Sequence, residues 1–479
     1  MGAMTSEEFR RFGHAIVDMV ADYRDHVDTR PVRATVAPGD IKAMLPAAPP
    51  AEPEPFAQVL ADVERVVMPG LTHWQHPSFF GYFPCNGLPA SVLGDYLSTG
   101  LGVLGLAWQS SPALSEVEEV TTGWLRQMLG LPEGWHGVIQ DTASTSSLLA
   151  LLCARERTTG FGATRGGLQA EEAPLVVYVS AHSHSSVDKA ALLAGFGRAH
   201  VRVVDHDATY AMNPEALEAA VQADRAAGLR PCAVVATTGS TSTTACDPLG
   251  AIAQVARGHG LWMHVDAAMA GSAMILPECR HLWAGVEHAD SLVLNPHKWL
   301  GVAFDCSLYY VRDPQHLVRV MSTNPSYLRT AVDDRVTNYR DWGIPLGRRF
   351  RALKLWFLIR EQGVSGLQAR LRRDLDNARW LDAQVRTCPD WYVVAPVPLQ
   401  TVCVRHMPAG CAGEALDRHT LAWCERVNAS GAAYLTPAML DGHWMVRVSI
   451  GSEQTERTHV EALWKAMRAA AEHPAAPAA

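Results

Sequence analysis

Between residues 137 and 311 the chain alternates short, continuous apolar runs with stretches of helical period, and this alternation constrains the fold more than any other feature. Apolar runs lie at 232–237, 261–265, 291–294 and 306–311, with others opening at Gly137 and Leu175; helical stretches at 214–227 and 248–258 separate them. A strand that is apolar along its whole length is buried on both faces, so the pattern predicts a mainly parallel sheet covered by helices. In such sheets ligands collect at the carboxyl ends of the strands. His184, Thr241, Asp266 and Lys298 all lie at or just past the ends of these runs, which places them on one rim.

Two of the four define a chemistry. Lys298 leaves the run 291–294 through Asn295-Pro296, and Asp266 ends the run 32 residues upstream. Lysines at strand ends usually snorkel to solvent; a desolvated one is a neutral amine able to form a Schiff base. A lysine for the aldehyde and a carboxylate for the pyridine nitrogen are the two fixed contacts of pyridoxal phosphate. The motifs NPHKW at 295–299 and HVDAA at 264–268 resemble those of the group II pyridoxal-phosphate-dependent decarboxylases, typified by the aromatic-L-amino-acid decarboxylases. That resemblance extends from Phe9 to about Met467. It implies a fold-type I α/β enzyme, with a sheet of the seven-stranded, mainly parallel type, that converts an aromatic L-amino acid to the arylalkylamine and CO2.

The resemblance also assigns residues. A histidine followed by SSV selects His184 over His182 as the ring-stacking group, and Tyr327 falls at the tip of a catalytic loop. Ala143 and Ser144, at the start of a helix rich in small hydroxyl residues, become phosphate contacts; read alone, the same residues make an ordinary N-cap. Many relatives read GxAS, whereas Asp141-Thr142 here brings in an acid, expected one turn away and facing solvent. Thr241, Ala268, Ser291, Asn295 and His297 complete the implied cofactor set alongside His184, Asp266 and Lys298.

The substrate wall is implied by the same likeness. GLTHWQHPSFFGYFP holds five aromatics between Trp74 and Phe83 at spacings that fit neither a helix face nor a strand face, and core packing explains them equally well. Matched to the family pattern, Trp74, Tyr82, Phe83 and Pro84 line the pocket, with Leu104 and Leu106 contributed to the neighbouring subunit's site. Gly347 in WGIPLGRRFR stands where some plant relatives alternate glycine and serine with indole or phenol preference. Aromatic walls suit aromatic substrates through stacking and buried area.

At the amino end, residues 6–27 carry Phe9, Phe12, Ile16, Met19, Val20 and Tyr23 on one helical face, with Ser6 as the expected N-cap. The resemblance turns this helix into one that lies across a partner in a homodimer with shared sites. The expected organisation is an N-terminal helical segment at 1–85, a large cofactor domain at 86–362, a small α/β domain at 363–473 and a disordered tail at 474–479.

Composition removes other classes. Forty-one basic against 49 acidic residues give −8 and no dense basic tract, which argues against nucleic acid. No apolar run reaches membrane-spanning length, and ten scattered cysteines without a C-x-x-C pair point to the reducing cytoplasm. His182-Ser183-His184 lacks a third ligand, so no metal is expected. His264-x-Asp266 mimics an iron facial triad, but that site belongs to a β-sandwich, which the strand–helix alternation contradicts. A binding module has no need of the lysine and acid; an aldehyde synthase of the same family remains the nearer rival.

Overall fold

The computed structural model describes residues 4–323 and 332–472. The chain separates into two compact units, one made of Cys85–Ala383 with Val393–Cys403, the other of Met1–Pro84, Gln384–Tyr392 and Val404–Ala479.

The larger unit is built on a seven-stranded sheet: β1 His136–Gln140, β2 Leu175–Ser180, β3 Val201–Val204, β4 Arg230–Thr237, β5 Trp262–Asp266, β6 Ser291–Leu294 and β7 Ser307–Val311. Their order is β1-β7-β6-β5-β4-β2-β3. The pairs β3–β2, β2–β4, β4–β5 and β5–β6 are parallel, and β7 runs against both of its neighbours, β6 and β1. The mainly parallel sheet expected from the apolar runs is therefore present. Every residue of β2, β5, β6 and β7 is buried, as runs without polar alternation require. Strand β3 escaped the sequence reading because it is a four-residue edge strand with a single buried residue.

The helix Ala143–Thr159 packs on the sheet face that carries Val235, Trp262, Tyr309 and Val311. Helix Pro89–Leu101, also absent from the sequence reading, inverts the usual polarity: its buried residues are Ser91, Gly94 and Ser98. Gly94 is a steric requirement, since a Cβ there would lie 2.7 Å from the Lys354 Cα. The helical stretch Arg351–Thr387 is broken at Gly363, whose φ of +62° and ψ of 171° no helix contains.

In the smaller unit the amino-terminal helix spans Ser6–His26. Its cap is Thr5, not Ser6: the Glu8 N–H donates to Thr5 Oγ1 at 3.2 Å and the Thr5 N–H to Glu8 Oε2 at 2.9 Å. That reciprocal box needs an acid three residues after the cap, which Thr5 has and Ser6 lacks. The second expected helix is α-helical over Phe56–Asp62 and continues through Val63–Val67 as a wider π-type turn. The strands β8 Trp391–Val393, β9 Thr401–His406, β10 Thr436–Leu440 and β11 His443–Ser449 form a second sheet, ordered β10-β11-β9-β8. Asp441 and Gly442 close the β10–β11 hairpin with φ of +52° and +78°. Two positive φ values in a two-residue loop make the Asp-Gly turn that matches strand twist.

Candidate active site

Strands β2, β4, β5 and β6 are consecutive parallel neighbours, so their carboxyl ends share one rim. Asp266 is the last residue of β5 and is buried; its Oδ1 accepts the Ala268 N–H at 3.0 Å. The Ala268 carbonyl in turn accepts the Asn295 N–H at 2.8 Å, so this one residue stitches the ends of β5 and β6 together. Lys298 lies in the turn Pro296–Leu300 that follows, and its own N–H donates to the Asn295 carbonyl at 2.9 Å. The turn closes at Gly301, with φ of +99°, where a Cβ would lie 2.2 Å from Leu88 Cδ1.

Both neighbours of Lys298 are anchored away from it. His297 Nδ1 accepts the Cys306 N–H at 2.8 Å, and Trp299 Nε1 donates to Asp374 Oδ2 at 2.8 Å. Lys298 itself is half-buried among buried residues. Burial, with the Lys298 charge adding to it, pushes the His297 imidazole down to about 3. With Nδ1 accepting, the neutral ring carries its proton on Nε2 and is a donor.

His184 follows β2 and caps the helix Ser185–Leu193, its Nδ1 accepting the Ser186 N–H at 3.1 Å. That bond fixes the ring and leaves Nε2 to carry the proton. Its pKa is lowered by burial and then by the Lys298 charge, while Asp266 acts in the opposite sense; His184 thus senses both residues. His182 instead packs with His206 and Tyr210, ring centroids 4.9 and 5.3 Å away.

After β4 the chain turns tightly, with the Gly239 and Ser240 N–H groups both donating to the Ala245 carbonyl at 2.9 and 3.0 Å. Gly239, at φ +79°, is obligatory, because a Cβ would lie 2.3 Å from that of Ala270. The turn leaves Thr241 partly exposed. Ala143 and Ser144 open the helix Ala143–Thr159, whose cap residue Thr142 makes no side-chain hydrogen bond to it. The first N–H groups of any helix lack intrahelical partners, so this terminus can receive an anion. Asp141 is not a turn away in solvent: it is half-buried, and its Oδ1 accepts the Thr142 N–H at 2.6 Å.

Ser291 is not brought to this rim. It opens β6 at the opposite end, where its hydroxyl accepts from Trp262 Nε1 at 3.0 Å and meets His264 Nδ1 at 2.9 Å. Asn295 is buried on the rim, and its Oδ1 has no hydrogen-bond partner among the described residues.

Leu104, Leu106 and Gly347 lie in the same unit. The Gly105 N–H donates to the Arg348 carbonyl at 2.9 Å, and a Cβ on Gly347 would approach Leu104 Cδ1 to 3.1 Å. A residue that sequence reasoning missed holds this corner: the Arg348 guanidinium forms a buried fork on Glu118, at 2.6 and 2.9 Å. The only sequence signal was the first of three arginines in WGIPLGRRFR, with nothing to name its partner 230 residues away.

In the smaller unit the aromatic stretch divides between core and surface. Phe79 and Phe80 are buried, whereas Trp74 and Tyr82 are exposed and stacked 5.5 Å apart at 10°. Phe83 lies under the buried Arg447 guanidinium, 4.8 Å from its ring centre, and Pro84 is buried. Gly81 lets this turn meet Tyr434, whose ring would lie 2.5 Å from a Cβ. Tyr327 lies outside the described residues.

The chain is similar to known proteins over nearly its whole length. Residues 38–407 match the family model described as the pyridoxal-dependent decarboxylase conserved domain. The chain is 40% identical to the phenylacetaldehyde synthase of Arabidopsis thaliana, over 96% of this chain and 95% of the relative. It is 39% identical to tryptophan decarboxylase 2 of Oryza sativa subsp. japonica, over 97% and 95%. A crystal structure of Oryza sativa TDC with PLP and tryptamine superposes with a TM-score of 0.95 at 37% identity, over 98% of this chain and 99% of that one.

Proposed function

The chain belongs to the pyridoxal-dependent decarboxylases, and from that premise we propose that it removes CO2 from an aromatic L-amino acid to leave the arylalkylamine. The observation that carries this reading is the meeting of Lys298, Asp266 and His184 at one end of four parallel strands, each fixed by backbone hydrogen bonds. The residues present fit pyridoxal phosphate. Asn295 Oδ1 is a buried acceptor awaiting a donor, and the helix at Ala143 and Ser144 offers N–H groups to a phosphate.

Lys298 Nζ would hold the aldehyde carbon and Asp266 the pyridine nitrogen, with Ala143 and Ser144 on the phosphate and Thr241, Ala268, Asn295 and His297 around the group. When bound, the cofactor supplies an electron sink for the pair released as the bond from Cα to the carboxylate breaks. His184 would cover the ring, and its fixed tautomer leaves a proton on Nε2. The proton that replaces CO2 at Cα is assigned to Tyr327, directly or through His184. An apolar, water-poor wall favours release of neutral CO2, and Trp74, Tyr82, Phe83, Pro84, Leu104, Leu106 and Gly347 are assigned to that wall.

The second reading, an aldehyde synthase, is favoured by the likeness to phenylacetaldehyde synthase. Synthases in this family typically exchange the loop tyrosine for phenylalanine or lose the stacking histidine; this chain retains Tyr327 and His184. Product analysis separates the two. Tryptophan, 5-hydroxytryptophan, phenylalanine, tyrosine and DOPA should yield amine and CO2 in equal amounts without ammonia or peroxide, and their kcat/KM values rank the substrates. Aldehyde as the main product would overturn the decarboxylase reading; inertness of all five would overturn the aromatic one.

We also propose a homodimer with sites built from both chains, in the cytoplasm. On helix Pro89–Leu101 the apolar residues Leu93, Tyr96, Leu97 and Leu101 form one stripe, and each is 43–56% exposed. The amino-terminal helix buries none of its residues and exposes Phe9, Ile16, Val17 and Val20. A monomer rarely leaves such stripes in water. All ten cysteines are free, and no helix among the described residues is long and apolar enough to cross a membrane. Sedimentation should give a dimer that Leu93→Glu with Leu97→Glu converts to an inactive monomer; an active wild-type monomer at micromolar concentration would refute it.

A further inference from the structure

The sheet polarity that gathers the candidate site at one rim leaves a second concavity at the other, around the amino ends of β4, β5 and β6. It is an open cavity of about 850 Å3 whose wall includes Arg157, Arg225, Arg230, Arg257 and Arg312 and a single carboxylate, Asp290. Five guanidiniums on one wall are notable in a chain with a formal charge of −8.

Two of the five are neutralised locally. Arg157 Nη1 lies 2.8 Å from Asp290 Oδ1, and Arg230 Nη1 lies 2.7 Å from Glu171 Oε2. Arg225 and Arg257 stand in the last turns of helices Pro214–Ala226 and Leu249–His259, where the helix dipole favours cations. Among the described residues their hydrogen bonds reach carbonyls, that of His259 at 2.7 Å and that of Ala253 at 3.3 Å. Arg312 follows β7, so no helix dipole explains it. It stands 3.8 Å from Asp290, a carboxylate already bonded to Arg157 and to the Met263 N–H. Among the described residues, then, Arg225 and Arg257 face the hollow with no carboxylate at ion-pair distance, and Arg312 only shares Asp290 with Arg157.

The cavity also has an apolar floor of Leu229, Pro231, Leu261 and Met263. Its volume falls in the range of small-molecule sites, about 300–1,000 Å3. Guanidinium forks match the paired oxygens of phosphate and carboxylate, and an apolar floor under a concave charged wall strengthens the attraction. We propose that this cavity binds a small multivalent oxyanion, a molecule carrying two or more phosphate or carboxylate groups, through Arg225, Arg257 and Arg312. The eight residues of β4 separate it from the cofactor rim by roughly 23 Å at about 3.3 Å per residue. It does not rest on the decarboxylase reading.

The test is titration calorimetry of the cofactor-loaded enzyme at low chloride with pyrophosphate, citrate and ATP. At least one probe should bind saturably, one per chain, and weaken as salt is added. Arg257→Ala with Arg312→Ala should weaken it at least about tenfold, the scale of one lost charge-assisted hydrogen bond. Arg257→Lys with Arg312→Lys, which keeps the charges, should retain part of the affinity and guards against a folding defect in the alanine pair. Turnover without the anion should be unchanged in both variants. A preference for pyrophosphate over citrate assigns a phosphate ligand, and the reverse a carboxylate. Absence of saturable binding by all three probes, or equal affinity in wild type and the alanine pair, would overturn the proposal.

Discussion

Lys298→Ala should lose turnover by on the order of 10⁴-fold or more, the scale on which a missing covalent group is felt, together with the near-visible absorbance of lysine-bound cofactor. The fold around the position should persist. The turn is held by the Lys298 N–H on the Asn295 carbonyl, by His297 on Cys306 and by Trp299 on Asp374, and none of these bonds uses the lysine side chain. Lys354, the one fully buried lysine among the described residues, cannot substitute, because its Nζ is ion-paired with Asp95 Oδ1 at 3.1 Å. The measurements are the absorbance spectrum, cofactor content and product rate of the purified variant, with its thermal midpoint as control. Full activity would remove the central assignment. Retained lysine-bound absorbance with no activity would move the covalent link elsewhere.

Arg348→Met should destabilise the large unit by about 3–5 kcal/mol, the usual cost of leaving one partner of a buried ion pair alone. Strand β1 is an edge of the sheet, and the pair covers it: Glu118 Oε1 accepts the Ile139 N–H at 2.9 Å, and Arg348 Nη2 donates to the Ile139 carbonyl at 2.7 Å. The two side chains thus act as a missing neighbour strand for one residue, and the carboxylate is fully buried. Removing the guanidinium strands both that charge and the Ile139 carbonyl. Glu118→Met added to Arg348→Met should therefore recover part of the loss, since the unpaired charge is gone. Urea midpoints at one fixed protein concentration decide the matter. A shift under about 1 kcal/mol in the single variant would mean that water reaches the carboxylate.

The alternation of apolar runs with helical stretches determined the mainly parallel sheet, because strands buried on both faces have no place for polar residues. It also determined the rim. Successive strands joined by helices must run the same way, so His184, Thr241, Asp266 and Lys298 had to meet once the strands were found. Motif likeness separated His184 from His182; in the structure His182 packs on His206 and Tyr210.

What only the tertiary structure decided depends on contacts between distant residues. Ser291 opens a strand whose other end leads to Lys298; a likeness carried residue by residue does not say which end of a strand a position occupies. The aromatic stretch divided into buried Phe79 and Phe80 and exposed Trp74 and Tyr82 because Gly81 admits the Tyr434 ring, a contact 353 residues away in sequence. Helix Pro89–Leu101 gave no usable period, because its inner face is made of serine and glycine that let another helix approach, leaving its leucines outside. The pairing of Arg348 with Glu118 was hidden for the same reason: a charge in a sequence is a surface residue by default, and only the fold shows which ones have been taken out of water.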